Sequence, residues 1–425
     1  MYRTLLLASA LAAAILANAQ QTVHQVVVLN EGYYDLAAGQ QVVPVTLGSY
    51  DPATGQYQIV ATIDNARFGN HVQVDDGVIY VAADSFLLKY DADSYALLGS
   101  TVLHGVRRFA IWNDQLIVTR GEIGGLDHYV DVLDKNTLQP IYHVPTTDMP
   151  YSCEGVQVVG DKAYFAVNNA FEWGNTVGKV GVLDLASQTY VTSIDLGPDG
   201  LNPENIMVDG DALYTFNNKD FTGSSISKLT LANDQLDHTD NVALNSSCAA
   251  SEHTYAHDVY YLEYSVGRVA RYDVVSREIR DTLMTSPNAY GLLNDPIDQV
   301  MYATTTDYVS SGELNVMDYE GHVLNTVAIG VSAGRLALDV RMSTGITEPL
   351  AATATLFPNP ADGEVFLRIP GGTLTRVTIL DAMGRVVSDG QHLLASDARF
   401  DVSGFAPGVY TVRLGNGTCM RFTKR

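Results

Sequence analysis

The sequence predicts an all-β protein: a seven-bladed β-propeller closed by strands from both ends of the chain, followed by a small β-sandwich. Three observations carry this. A module recurs seven times between Val26 and Val340, and five intervals over the 222 residues from Tyr80 to Tyr302 give a period of about 44, the spacing of four-stranded propeller blades. Each copy alternates apolar and polar positions, the period-2 signature of sheet. The first copy is split: "VHQVVVLNEG" near the start matches the second strand of the other modules, and "AGRLALDV" (Ala333–Val340) supplies the missing opening strand. Pairing Arg335–Val340 with His24–Leu29 would complete blade one from both termini. A closed ring leaves no sheet edge exposed, whereas a linear stack would gain nothing from the split.

Residues 1–19, "MYRTLLLASALAAAILANA", have an early Arg, an apolar run and Ala17-Asn18-Ala19 as a small-x-small cleavage site. That pattern is a secretory signal peptide, with Gln20 as the new N-terminus and no Cys after it to accept a lipid. No other stretch reaches the roughly 18 apolar residues of a membrane span. The propeller is expected over residues 20–342. Its modules align on the pairs Ile79-Tyr80, Leu116-Ile117, Ala163-Tyr164, Leu213-Tyr214, Val259-Tyr260 and Met301-Tyr302. In each module a tight turn precedes the paired strand, a long loop follows it, and a strand ending near Tyr-Asp or Leu-Asp leads through a polar turn to a Val/Ile-rich last strand. Residues 343–355 read as a linker. Over residues 356–425 the runs "EVFLRIP", "RVTILDA", "GRVVSDG", "ARFDVSG" and "VYTVRLG", separated by Gly, Pro and Asp, read as the sandwich.

Charge separates the two parts. The tail carries eight Lys/Arg against six Asp/Glu, while residues between leader and tail carry 16 against 42. So acidic a body repels nucleic acid and anionic membrane surfaces. No twelve-residue Ca²⁺ loop is present, and Asp91-Ala92-Asp93-Ser94 reads as a hairpin turn. The histidines lack metal-ligand spacing; His253 and His257 are four apart, but in a strand region where that spacing has no meaning. Cys153 and Cys248 both precede an opening strand, and an exported protein permits a disulfide between them.

Loop length is the main pointer to function. The first-to-second and third-to-fourth connections are short polar turns. The second-to-third loops are long and unlike one another: Asn30–Gln41, Arg120–Tyr129, Asn168–Gly178, Asn217–Ser225 and Thr305–Gly312. In propeller topology they share one face with the blade-to-blade crossovers, and variable loops on a rigid scaffold are where binding sites are built. The crossovers bring Arg67, Asn70, His71, Arg107, Arg108, Glu154, Glu204, Asn205, Glu252, Tyr290 and Arg335 to the channel mouth. The loops add Tyr33, Tyr34, Phe171, Trp173, Phe221 and Tyr264. Aromatic faces with converging Arg and carboxylate groups suit a bulky, partly planar or saccharide-like ligand.

Neither catalytic nor cofactor signatures occur: there is no G-x-S-x-G elbow, H-E-x-x-H helix or Walker loop, and "GNTVGK" (Gly174–Lys179) is too short for a phosphate loop. The expectation is a surface binding protein without catalysis; the alternative is a propeller hydrolase or lyase whose scattered His and carboxylates assemble at the channel mouth.

Two resemblances extend this. "LFPNPADG" (Leu356–Gly363), "VTILDAMGRVV" (Val377–Val387), "FAPGVYTVRL" (Phe405–Leu414) and the ending "MRFTKR" resemble the C-terminal sorting domain of type IX secretion cargo. That implies passage through the type IX translocon, removal of the tail by a surface sortase, and attachment at the cell surface or release. "VVVLNEG" and the repeats of the "GKVGVLDLASQTYVTSIDL" kind resemble YVTN-type extracellular propellers of Bacteroidetes. Members with the Asn-Glu-Gly opening include surface propellers that capture corrinoids beside an outer-membrane transporter, and the resemblance implies such a transporter as one partner this chain could have. This chain lacks their lipid-anchor Cys and carries the tail instead.

Overall fold

The computed structural model describes residues 20–219, 223–243, 253–263, 265–343, 355–368, 376–392, 397–415 and 419–425. The leader expected at 1–19 lies outside them, as does most of the expected linker. The chain separates into two compact units, Val23–Val340 and a unit holding the residues from Arg341 on. Among the described residues no helix is long and apolar enough to cross a membrane.

The first unit holds seven four-stranded sheets and one two-stranded hairpin. Six sheets run through consecutive strands; the innermost are Gly69–Asp75, Val106–Trp112, Cys153–Val159, Pro203–Asp209, His253–Tyr255 and Gly291–Asp295. The remaining sheet is the split one: Ala333–Ser343 pairs with Gln20–Asn30, which pairs with Val45–Asp51 and then Gln56–Ile63. The blade completed from both ends is therefore present.

The core explains why the modules look as they do. Seven hydrophobic clusters fill the first unit, one between each pair of neighbouring blades, including blade seven against blade one. Side chains alternate across a strand, so each central strand feeds two clusters. Val27 and Leu29 pack toward blade two, while Val26 and Val28 pack toward blade seven. The aliphatic-Tyr pair is the same device. Ile79 faces blade one and Tyr80 blade three; Val259 faces blade five and Tyr260 blade seven. A Tyr spans the wider gap away from the channel and leaves its hydroxyl free to bond, as Tyr164 does in donating to Asp234 of the next blade at 2.7 Å.

The Tyr-Asp and Leu-Asp endings are turn chemistry. Asp51, Asp91 and Asp134 each accept hydrogen bonds from backbone N–H groups two and three residues on, an Asx turn that starts the hairpin to the outermost strand. The tail forms a three-stranded and a four-stranded sheet around one core that includes Val365, Phe400, Val412 and Phe422. All five strands read from the sequence occur. Two more were not anticipated: Thr355–Phe357, and Cys419–Lys424, where the basic ending is itself an edge strand on Gly408–Leu414.

Candidate functional site: the channel and its mouth

Every blade contributes to one central cavity of about 380 Å³. Its polar wall includes His71, Arg108, Gln157, Asn205, His253 and Arg335; its apolar wall includes Ile206, Met207, Leu292, Leu293 and Leu336. Crossover residues Asn205, Gly334 and Arg335 belong to its wall, and around the crossovers ions pair both within a blade and from blade to blade. Arg67 holds Asp84 through two hydrogen bonds, Nε to Oδ2 at 2.9 Å and Nη2 to Oδ1 at 2.6 Å, and reaches Glu122 at 3.5 Å. Arg107 donates to Glu154 at 2.7 Å and lies over the Phe171 ring, 5.1 Å from its centre. Phe171 in turn lies against Gly121, where a Cβ would fall 2.4 Å from the ring. Burial opposes the Arg107 charge, but Glu154, Glu204 and Glu31 outweigh it and raise the pKa of the guanidinium. Arg108 donates to Asn205 at 2.7 Å, Asn70 to the carbonyl of Val106, and Arg335 to the carbonyl of Asn70 at 3.2 Å.

The two channel imidazoles are neutral. His71 accepts from the Phe109 N–H at 3.3 Å through Nδ1, which leaves the proton on Nε2. Burial, then the charges of Arg108 and Arg335, push its pKa well below the usual histidine value. Burial alone lowers His253 to about 3.

The structure sorts the expected residues. Arg67, Asn70, His71, Arg107, Arg108, Glu154, Phe171, Asn205, Tyr290 and Arg335 come together at the mouth, and Glu204 lies within electrostatic reach of Arg107. Tyr33 and Tyr34 belong to a separate two-stranded hairpin, paired with Val43 and Gln41. Trp173, on the long loop Asn168–Gly178, is 85 % exposed, so it does not pack against its own blade. Phe221, Glu252 and Tyr264 lie outside the described residues, as does Cys248. Cys153 is a free, buried thiol. Its side chain packs into the core between blades three and four, and the expected partner Cys248 is not described. Among the described residues, no group of three or more His, Cys, Asp or Glu is placed to hold a metal ion.

Two residues escaped the sequence reading. Glu31 accepts from the Tyr290 hydroxyl at 2.8 Å, and desolvation raises its pKa against the pull of Arg335. It sits in the quoted Asn-Glu-Gly opening, which is the ring's closure. Asn30 donates to Thr46 at 3.0 Å and to Tyr57 at 2.9 Å, and the N–H groups of Glu31 and Gly32 donate to Ser332 and Val331 across the seam. His253 was seen but assigned nothing. Its signal is register: it pairs with Tyr260 as Gln157 pairs with Tyr164, Met207 with Tyr214 and Leu293 with Tyr302, and all four residues line the cavity.

Solved structures similar to this chain include hydrazine synthase of Kuenenia stuttgartiensis (14% identity, 66% of this chain and 96% of that one, TM-score 0.48). BamB from Moraxella catarrhalis is similar at 13% identity over 83% of this chain and 95% of that one, TM-score 0.45. The dihydro-heme d1 dehydrogenase NirN is similar at 14% identity over 76% of each chain, TM-score 0.48. The seven sheets themselves, rather than these likenesses, establish the propeller. No curated protein matches this chain. Residues 355–425 match the family described as the secretion system C-terminal sorting domain. The chain thus carries a type IX sorting tail, and its destination is the cell surface or the exterior.

Proposed function

We propose that this exported propeller is a surface binding protein that takes a ligand (a small molecule, a glycan or a protein partner) at the mouth of its channel, on the long-loop face. The observation that carries this reading is the cavity lined from all seven blades, whose Arg335 lies within electrostatic reach of Glu31, itself bonded to Tyr290 and within reach of Arg107 with its Glu154 partner and Phe171 platform. Such a site offers hydrogen bonds of both senses beside an aromatic face. Binding is favoured over hydrolysis or elimination by how the titratable groups are engaged. The mouth carboxylates hold arginines and a tyrosine, and His71 is tied to a backbone N–H, where proton transfer would want an imidazole against a carboxylate. The resemblance to corrinoid-capturing propellers puts corrinoids first among ligands to try, with haem and glycans after them, and an outer-membrane transporter as the partner that would receive the cargo.

The test is a thermal-shift screen of these compounds on the purified chain, followed by titration of the best one. Phe171→Ala should weaken binding by roughly 1–3 kcal/mol, the size of a hot-spot truncation, without unfolding the ring. Gln188→Ala, in a turn on the opposite face, and Trp173→Ala should leave affinity unchanged. Undiminished affinity in a folded Phe171→Ala variant would remove the mouth as the site.

A further inference from the structure

Near the crossovers the cavity wall is built of hydrogen-bond donors. His71 pairs with Ala82 and Asn205 with Phe216, each two residues beyond the Tyr of its blade, so both lie one layer closer to the crossovers than Met207 and Leu293. Arg108 and Arg335 flank His71 there. The Phe109 N–H that bonds His71 Nδ1 directly follows Arg108, and Arg335 donates through Nε to the carbonyl of Asn70, the residue before His71, at 3.2 Å. All four side chains line the cavity, and no described Asp or Glu does. Glu31, within electrostatic reach of Arg335, accepts from Tyr290 and stands outside that lining. In a chain of formal net charge −23, two guanidiniums in one cavity wall are a local reversal of sign.

His71 fixes the sense of the site. Its Nδ1 is occupied as an acceptor, so Nε2 carries the proton. The ring stands edge-on to Phe109, centroids 4.8 Å apart and planes at 77°, which sets its orientation. The Nε2–H has no acceptor among the described residues, yet it keeps accessible surface, unlike the sealed nitrogens of His253. Asn205 turns its Oδ1 to Arg108 at 2.7 Å, and a guanidinium offers N–H groups and no acceptor. An ammonium would meet donors and like charge. A hydroxyl would answer a donor but leave the charge unmet. An oxyanion answers both, and its several lone pairs suit donors converging from different blades.

We propose that this layer of the channel is an oxyanion subsite: it takes a carboxylate or phosphate group of the ligand, held by the guanidiniums of Arg108 and Arg335 and by the Nε2–H of His71. This rests on the mouth being the ligand face, since the mouth is the way in. It assigns the ligand's leading end to the anionic class, while the groups around the mouth meet the remainder.

The test uses the full chain labelled with ¹⁵N-histidine, with sodium acetate and sodium phosphate as probes and methyl glucoside and sodium chloride as controls. The His71 ring resonances, identified by their loss in His71→Gln, should shift saturably with acetate or phosphate and stay put with both controls. Whichever anion binds tighter tells a carboxylate ligand from a phosphate one. Arg335→Gln should weaken that binding about tenfold or more, the worth of a hydrogen bond to a charged group. Arg335→Lys, which keeps the charge, should recover part of the loss. Arg108→Gln probes the same subsite from another blade, and circular dichroism checks that each variant is folded. No saturable shift with either anion, an equal response to methyl glucoside or chloride, or full anion binding by a folded Arg335→Gln or Arg108→Gln would each overturn the inference. If Phe171→Ala weakens capture of the screened ligand while Arg335→Gln does not, the channel subsite falls and the mouth stands. If neither weakens it, both fall.

Discussion

The side chains at the centre of the ring are set apart by protonation more than by residue type. His71 and His253 are neutral in the fold because burial withholds the water a charged imidazole needs. In the unfolded chain both take up a proton below about pH 6.5. Proton uptake by the unfolded state alone favours unfolding, so stability falls as pH drops from about 6.5 toward about 3, the value for His253. Each histidine contributes up to about 1.4 kcal/mol per pH unit within its window. Glu31 works the other way: its raised pKa means that the fold loses stability as pH climbs through the ordinary carboxylate range. Urea midpoints should therefore decline between pH 6.5 and pH 4.5, less steeply in His253→Gln and more steeply in Glu31→Gln. Identical slopes in all three proteins would mean that folding shifts neither the His253 nor the Glu31 titration.

At the scale of single elements, the repeated pair and the repeated turn are one solution applied blade by blade. The aliphatic-Tyr pair serves both neighbours of a blade because adjacent residues of a strand point to opposite faces. The Asx turn recurs because the aspartate carboxylate satisfies two backbone donors while the chain reverses. Asp273 shows the energetic consequence: N–H bonds from the Ser276 turn, with Arg280, hold its pKa down to about 2. The closing segment is the exception to repetition. Gly32 has φ +73°, and a Cβ there would fall 2.2 Å from the carbonyl oxygen of Val43. Gly32→Ala should cost more than about 2 kcal/mol, since left-handed strain and a backbone clash add. Gly77, also at positive φ but with nothing within 4 Å, should tolerate Ala at about 1 kcal/mol or less. Chemical denaturation of the two variants compares them directly, and equal losses would contradict the clash.

For the whole molecule, closure joins the ends of a long chain into a single ring. The strand Ala333–Ser343 covers the edge of Gln20–Asn30, and the cluster between blades seven and one takes residues from both ends of the propeller. Deleting residues 333–343 together with everything after them should abolish cooperative unfolding and expose a strand edge that aggregates. Deleting only residues 344–425 should leave the propeller's melting temperature unchanged, because Val23–Val340 is a compact unit with its own cores. A calorimetric trace of the two truncations separates these outcomes. Mass spectrometry of the surface form is expected to find cleavage after Ala19 and loss of the tail within residues 343–355.

Much of this was written in the linear order of residues. Period-2 alternation, the Tyr pairs, the turn aspartates and the split first module are local patterns, and local patterns are read without knowing the fold; they determined the blade count, the closure and the face that carries the long loops. The sorting tail was legible for the same reason, except for its first strand, Thr355–Phe357, which is only three residues long, and its last, Cys419–Lys424, which carries the basic ending. The membership of the site was another matter. Arg107 meets Glu154 across 47 residues, Arg108 meets Asn205 across 97, and Tyr290 meets Glu31 across 259. Which crossover residues face one another around a ring depends on blade geometry and not on sequence distance, so Trp173 looked as eligible as Phe171 until one proved exposed and the other packed under an arginine. The Asn-Glu-Gly opening carried a family likeness on the page, and only the closed ring made it a seam. The neutral state of His253 was beyond the sequence altogether, because it comes from burial, and burial is a property of the assembled channel.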